Sequence, residues 1–291
     1  MEKESGNRNR LQWHSAFFAG IQIELEEDSS KLIFENEHQL TTKPLGIDVL
    51  IIKKRSDEVI NKNIGKIFRG HNIIEYKSPN DSFCIDDFYK VISYAGLYKS
   101  DVKNVDTIKA TDITLSFVSR HYPRKMMKHL EIIQNMKVLK YTDGIYYLLY
   151  GMFPMQVIVT SELSKENNFW LKNLTNNLYK REEVEEIFLE YEKHRNNKLH
   201  KSVMDIIVRA NERVFKEVRG SMCDALVELM QDVIDEKFAE GKLEGRIEGL
   251  LDQIRKKVAK GKTVEQIADE LEESVENIQS LMSKINSIQS V

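Results

Sequence analysis

The sequence contains little cysteine, little proline and no long hydrophobic run. Its 291 residues include only two cysteines, Cys84 and Cys223. Their separation fits no metal-binding or redox motif, so a reduced, cytoplasmic setting is expected. The longest apolar run, at 145–153, is too short to cross a bilayer. The first ten residues are polar, so we expect neither a secretory signal nor a membrane partner.

The chain also lacks an excess of either charge. It has 43 Lys and Arg against 46 Asp and Glu, which gives a formal net charge of −3. Any surface that attracts nucleic acid must therefore be local. Apolar residues make up 41% of the chain, which is enough for a packed core. The length suggests two domains, or one domain with a large extension.

Strand-like and helical segments are unevenly distributed along the chain. All four prolines lie in the first 154 residues, as do the segments that read as strands. From about residue 164 the pattern is helical and rich in Glu, Lys and Arg. We therefore predict a boundary near residue 160, with one domain at 1–160 and a helical extension at 161–291.

The first domain alternates helices with strands. An amphipathic helix is predicted first, then three strands, a second helix and a fourth strand. These segments lie at 11–27, 31–39, 46–54, 72–79, 86–100 and 112–120. Asp86 or Asp87 is expected to cap the second helix. A further helix and a hairpin across Asp143-Gly144 follow. The order α-β-β-β-α-β, continued by more helix and strand, predicts an α/β fold.

Two charged residues lie in the middle of the third predicted strand, NIIEYKSP. Glu75 and Lys77 are two residues apart, so on a strand both side chains point to the same face. Buried charges are costly unless they are paired or bind a metal. Asp48 opens the apolar run of the preceding strand, GIDVLIIKK. If the two strands are neighbours, Asp48 and Glu75 lie close together, an arrangement that suits Mg²⁺. Lys77 then holds or deprotonates the attacking water, or stabilises charge on a phosphate.

The first predicted helix carries an inward-pointing acid. At about 100° per residue, Glu24 falls in the same arc as Trp13, Phe17 and Ile21. Glu26 falls on the opposite side of the helix. An acid on an apolar face requires a partner, so Glu24 is expected to reach the same metal or to orient a metal-bound water.

Lys90 and Tyr94 form a third candidate feature, on the predicted helix that follows NIIEYKSP. They are four residues apart and therefore share one helix face. A cation and a phenol at this place could contact the DNA backbone or the active-site water. An ordinary amphipathic helix explains the pair equally well. For Glu75 and Lys77 the simpler explanation is a surface strand with a cross-strand salt bridge.

The C-terminal part reads as a series of charged helices. Gly241, Gly245 and Gly249 share one helix stripe, and residues 263–285 read as two short helices broken at Glu273-Ser274. That layout is similar to a helix-turn-helix. Its acidic residues disfavour contact with phosphates, so residues 240–291 are expected to mediate assembly, as a homo-oligomer.

The order of elements resembles that of the PD-(D/E)XK nuclease superfamily. Four segments resemble bacterial Rpn-type recombination-promoting nucleases, a group also described as transposases: LQWHSAFFAGIQIELEE, KPLGIDVLIIKK, HNIIEYKSP and IDDFYKVISYAGLYK. The resemblance covers roughly residues 11–160, and the glycine repeats at 239–250 resemble that family's tails. It implies a restriction-endonuclease-like core that hydrolyses DNA phosphodiester bonds with Mg²⁺, or with Mn²⁺ as a substitute, in recombination or transposition.

The resemblance also assigns roles to single residues. Asp48, Glu75 and Lys77 match the family's catalytic triplet, and Glu24 matches its first-helix acid. The implied metal ligands are Asp48, Glu75 and Glu24. Lys90 and Tyr94 lie where many relatives carry a Gln-x-x-x-Tyr motif, so this chain has Lys in place of Gln. The proline of the superfamily's name is displaced as well, because Pro44 precedes the aspartate by four residues.

Two other classes of function stay open at this point. The first is a nuclease-like fold that binds DNA or a protein without cutting. The intact Asp-Glu-Lys triplet speaks against it, because a binding module needs no inward carboxylates. The second is a purely helical interaction protein, which the long charged helices after residue 164 would suit. A cleavage assay with magnesium and with chelator separates these classes.

Overall fold

A computed structural model describes residues 12–35, 49–55, 58–102, 104–219, 246–247, 249–258 and 262–289. The described residues fall into two compact units, one within 11–221 and the other within 222–291. Residue 160, where the composition changes, lies inside the first unit. No helix in the described part of the chain is long and apolar enough to cross a membrane.

The first unit is built on one mixed sheet of seven strands. The strands are β1 (Leu32–Glu35), β2 (Val49–Lys54), β3 (His71–Tyr76), β4 (Ile113–Ser119), β5 (Lys137–Thr142), β6 (Ile145–Leu149) and β7 (Met155–Val159). Their order across the sheet is β1-β2-β3-β4-β7-β6-β5. The pairs β3–β4 and β4–β7 are parallel, and the other pairs are antiparallel. The expected α/β class is therefore confirmed.

The described residues of the same unit also form seven α-helices. They are α1 (Trp13–Glu24), α2 (Ile85–Ser100), α3 (Arg124–Ile132), α4 (Lys165–Asn173), α5 (Arg181–Glu192), α6 (Lys198–Ala210) and α7 (Glu212–Arg219). Short 3₁₀ helices lie at Glu26–Lys31, Asn63–Gly65, Ala110–Asp112 and Thr160–Glu162. The described elements thus begin α-β-β-β-α-β, the order that the sequence predicts. The predicted N-cap of the second helix is wrong, since α2 begins at Ile85 and its N-cap is Cys84.

The predicted hairpin connects β5 and β6. The turn consists of Asp143 and Gly144, and the backbone of Gly144 has a φ of +72°. A Cβ atom there would lie 2.7 Å from backbone atoms of Val159 and Leu163. Only glycine avoids both the strained backbone and this clash, which explains why the Asp-Gly signal is reliable here.

The two faces of the sheet are covered by different helices. On one face Ile51, Ile73 and Phe117 join a buried cluster with side chains of α2 and α3. On the opposite face the ring of Tyr76 stacks on Phe17 of α1 at a centroid distance of 4.2 Å. Alternation along β3 therefore sorts its side chains between an α2/α3 layer and an α1 layer.

Helices α4 and α6, which follow residue 160, belong to the α1 layer. Both α4 and α6 pack against α1. Their buried residues include Trp170 and Leu171 on α4 and Val203 and Ile207 on α6. The change in composition at residue 160 marks the end of the strands, and the packed unit continues beyond it.

The described residues of the second unit form three helical segments. They are α8, described at 246–247 and 249–258, α9 (Val264–Leu271) and α10 (Val275–Gln289). A small core joins them through Ile254, Ile267, Ala268, Ile278 and Leu281. The predicted break between two short helices is confirmed. Gly241 and Gly245 of the proposed glycine stripe lie outside the described residues.

Some acids of this second unit form hydrogen-bonded ion pairs with basic residues of the same unit. Glu270 accepts hydrogen bonds from Lys257 and Lys262, which lower the pKa of its carboxyl to about 2. Glu273 accepts a 2.7 Å hydrogen bond from Arg246. The acidity of this segment is therefore partly internal, and its proposed role in assembly stays a prediction.

Candidate active site

The C-terminal end of β3 places a carboxylate and an ammonium on one face of the sheet. Glu75 is 4% exposed, and its Oε1 lies 4.0 Å from Nζ of Lys77. Tyr76, between them, turns to the α1 layer, where it stacks on Phe17. The two charges share the face that the strand period predicts. They lie next to the apolar α2/α3 core.

Asp87 on the first turn of α2 completes this pair. Its Oδ1 accepts a 2.8 Å hydrogen bond from Nζ of Lys77. Its Oδ2 accepts a 2.9 Å hydrogen bond from the backbone N–H of Cys84 at the helix N-cap. Burial alone would raise the pKa of Asp87, but the hydrogen bonds from Lys77 and Cys84 outweigh it and lower that pKa. Asp87 is thus an ionised anchor for Lys77.

Lys90 and Tyr94 lie one and two turns further along α2. Nζ of Lys90 is 5.4 Å from the centroid of the Tyr94 ring, so the two residues share a helix face as predicted. The Tyr94 hydroxyl, and then the negative charges of Glu75 and Asp87, raise the pKa of Lys90. The second cation is therefore electrostatically linked to the Glu75 carboxylate.

Asp48 lies outside the described residues. The described part of β2 begins with the next residue, Val49, whose partner on β3 is Glu75. The two strands are therefore antiparallel neighbours, as predicted, but directly opposite residues share a face of the sheet, so Val49 is the described β2 residue on the Glu75 face. The role of Asp48 itself stays a prediction.

Glu24, the third predicted acid, is buried at the end of α1 with a set of partners of its own. It is 6% exposed, as an inward position requires. Its Oε1 accepts hydrogen bonds from the backbone N–H groups of Trp170 (2.9 Å) and Leu171 (3.2 Å) on α4. Its Oε2 lies 2.8 Å from Nζ of Lys62. The structure therefore joins Glu24 to α4 and Lys62 in the α1 layer, whereas Glu75 lies on the other face of the sheet.

The structure thus brings together Glu75, Lys77 and Asp87, and it places Lys90 beside Tyr94 on the same helix as Asp87. Asp87 was not recognised as a site residue from the sequence, where it was considered only as a helix cap. The signal was available in part, because an acid in the first turn of the helix after the Glu-x-Lys strand can reach back to that strand. Its distance from Lys77 along the chain, 10 residues, carries no regular period that would have revealed the contact.

The donor atoms at Glu75 are carboxylate oxygens, the type that magnesium prefers. Within the described ranges, no three His, Cys, Asp or Glu side chains are grouped as metal ligands would be. The proposed ligand Asp48 is not among those residues. Of the three implied ligands, Glu75 and Glu24 are described, and the structure places them on opposite faces of the sheet.

Comparisons of the chain with protein-family models, with curated proteins and with solved structures found no match.

Proposed function

We propose that this protein is a metal-dependent nuclease of the PD-(D/E)XK type that hydrolyses DNA phosphodiester bonds during recombination or transposition. One observation carries the proposal. A buried glutamate and a lysine share one face at the end of β3, and Asp87 holds the lysine beside the glutamate at 2.8 Å. A strand that needed only a solvent-exposed ion pair would not bury its carboxylate next to an apolar core.

Asp48 and Glu75 are the residues that would hold the magnesium ion, with manganese as a substitute. Their carboxylate oxygens match the ligand preference of both metals. When bound there, the metal would polarise the scissile phosphate and lower the pKa of a coordinated water. The oxygens of Asp87 already accept hydrogen bonds from Lys77 and Cys84, so Asp87 is assigned a positioning role.

Lys77 supplies a positive charge where negative charge grows on the phosphate. Its ammonium has three N–H groups, and Asp87 accepts one of them. The remaining N–H groups can donate to a phosphate oxygen or to the attacking water. Because Asp87 fixes the ammonium before substrate arrives, little reorganisation is needed during the reaction.

Lys90 and Tyr94 are proposed to contact the substrate. They share one face of α2, where the Tyr94 hydroxyl and then the charge of Glu75 raise the pKa of Lys90. We therefore place the two residues beside the phosphate. Lys90 provides a charge where many members of the resembled family have Gln. Lys90 would attract the phosphate backbone more strongly than Gln does. It offers only hydrogen-bond donors, however, whereas the Gln amide offers both a donor and an acceptor.

Nicking of supercoiled plasmid tests the proposal. Wild-type protein should convert the plasmid to open circles with magnesium or manganese, and chelator should prevent it. Glu75→Gln should lose the activity, because an amide is a weaker metal ligand than a carboxylate. Glu185→Gln, on the surface of α5, is the matched control and should cut like wild type.

The alternative, a nuclease-like module that binds without cutting, gives a different result in the same assay. It would retard the plasmid on a gel in both magnesium and chelator and would leave it supercoiled. That outcome would remove the catalytic part of the proposal.

A further inference from the structure

Four basic residues follow β4 and form what we call the basic strip: Arg120, Arg124, Lys125 and Lys128. The last three are exposed on α3, and Arg120 lies in the preceding loop. Among the described residues, no carboxylate lies within ion-pair distance of any of the four. Elsewhere on the surface, basic residues are commonly paired within their own helix, as in Arg213–Glu217 and Lys216–Glu212 on α7. The strip is therefore a concentrated positive charge in a chain whose net charge is −3.

The guanidinium of Arg120 is partly buried without a counter-charge. Its Nε and Nη1 atoms are buried and have no hydrogen-bond partner among the described residues. Burial lowers the pKa of this group, which means that its surroundings disfavour the cation. Its backbone carbonyl is held by hydrogen bonds from the N–H and hydroxyl of Ser161. An anionic acceptor would relieve the cost of the two unsatisfied N–H groups.

Arg124 and Lys125 lie at the N-terminal end of α3, where cations lower the stability of a helix. They occupy the first turn of α3, where the helix dipole is positive and cations are unfavourable. The N-cap residue Pro123 offers no side-chain hydrogen bond, and no acid lies in that turn. Placing two cations there weakens the helix, and a negatively charged ligand would reverse the sign of the interaction.

The strip begins beside the candidate active site. The backbone N–H of Lys77 donates a 2.9 Å hydrogen bond to the carbonyl of Val118 on the parallel neighbour β4. Arg120 comes two residues after Val118. Strands lie about 4.8 Å apart and rise about 3.3 Å per residue. The backbone at Arg120 is therefore roughly 8 Å from that of Lys77, and α3 extends the positive charge further.

We propose that the basic strip binds the phosphate backbone of the DNA strand that leads to the scissile bond. The position of the scissile bond rests on the proposed nuclease function, and the binding itself does not require cleavage. The ligand class follows from the chemistry. Several exposed cations in a row, without hydrogen-bonding amides between them on the helix surface, suit a repeating anion better than a single small one.

Fluorescence anisotropy with a labelled duplex oligonucleotide tests this proposal, in chelator so that no cutting occurs. The variant Arg124→Gln/Lys125→Gln should bind about tenfold more weakly, and the slope of log K against log salt should fall by about 1 for each phosphate contact removed. Arg120→Gln should weaken binding in the same direction. The matched control Arg213→Gln/Lys216→Gln removes the same two residue types from α7 and should bind like wild type.

Thermal melts of the same variants without DNA show whether the cations serve the fold. Both strip variants should melt no lower than wild type, because they remove unfavourable charges. Equal DNA affinity and salt slope in wild type and in the double strip variant would overturn the proposal. Equally tight binding of poly-L-glutamate, weakened by the same substitutions, would overturn the assignment to nucleic acid.

The nuclease function and DNA binding by the basic strip can be disproved independently of each other. Binding through the strip with no cutting in magnesium or manganese would contradict the nuclease function and leave the strip assignment intact. Normal cutting together with normal binding by Arg124→Gln/Lys125→Gln would contradict the strip assignment and leave the nuclease function intact.

Discussion

Two buried glutamates of this protein occupy very different surroundings. Glu24 accepts hydrogen bonds from two backbone N–H groups of α4 and pairs with Lys62, in the α1 layer. Glu75 lies on the other face of the sheet, at a strand end that also carries Lys77 and Asp87. The first arrangement uses the acid to join distant parts of the chain. The second gathers several charges beside an apolar core, which is how catalytic sites shift the properties of their groups.

The comparison separates two reasons for burying a charge. Both glutamates satisfy the same sequence criterion, an acid on an apolar face. The described partners differ, since Glu24 is held by backbone N–H groups of α4 and by Lys62, whereas Glu75 lies 4.0 Å from the Lys77 ammonium that Asp87 holds. The metal role predicted for Glu24 from the family resemblance therefore competes with the anchoring role that its contacts favour.

The largest expected effect is on cleavage, at the Glu75 site. Lys77→Met should reduce plasmid nicking by about 100-fold or more, the usual contribution of a catalytic group. Circular dichroism should show an intact fold, because Asp87 retains its hydrogen bond from Cys84. Lys140→Met, which removes an exposed lysine paired with Asp143, is the matched control. Nicking at a tenth of the wild-type rate or better would remove Lys77 from the mechanism.

The next effect is on stability, at the Glu24 site. Glu24→Gln should lower the free energy of unfolding by about 1–3 kcal/mol, because it weakens hydrogen bonds to two buried N–H groups and removes the charge that pairs with Lys62. Urea unfolding measures the change. Glu27→Gln replaces a nearby exposed acid and should stay within about 0.5 kcal/mol of wild type. Wild-type stability of Glu24→Gln would argue against the anchoring role.

A smaller effect concerns the pH dependence of the Lys77–Asp87 pair. The pKa of Asp87 is lower in the folded protein than its ordinary value. Its stabilising contribution should therefore be complete above about pH 4 and should be lost as the pH falls through the folded pKa. The urea midpoint of wild type should exceed that of Asp87→Asn at pH 6, and the two should converge on acidification. A constant difference between the two urea midpoints down to pH 2 would show that the charge of Asp87 does not cause the difference in stability.

Local sequence patterns predicted much of the fold. The period of two in NIIEYKSP gave the shared face of Glu75 and Lys77, and the helical period gave the inward position of Glu24. The Asp-Gly pair marked the hairpin between β5 and β6. These features depend on neighbours within a few residues, where sequence and geometry are tied by fixed periods.

Contacts between distant segments were not predictable in the same way. The α4 partner of Glu24 lies 146 residues further along the chain, and no local period encodes that pairing. The same reason explains why the end of the strands near residue 160 is not an end of the packed unit, since α4 and α6 return to α1. The basic residues of SRHYPRK are visible in the sequence, but that no acid among the described residues pairs with them appears only when the surrounding elements are in place.

One measurement tests the division of roles between the two glutamates most directly: thermal melts of wild type, Glu75→Gln and Glu24→Gln, each in magnesium and in chelator. Magnesium should stabilise wild type, by about 2.7 kcal/mol at 100 times its dissociation constant. Glu75→Gln should lose that response. Without metal it should melt no lower than wild type, because it removes one of the two carboxylates, Asp48 and Glu75, that are proposed to repel each other. Glu24→Gln should melt lower in both conditions and keep the full response. A response that vanishes in Glu24→Gln and persists in Glu75→Gln would contradict the account.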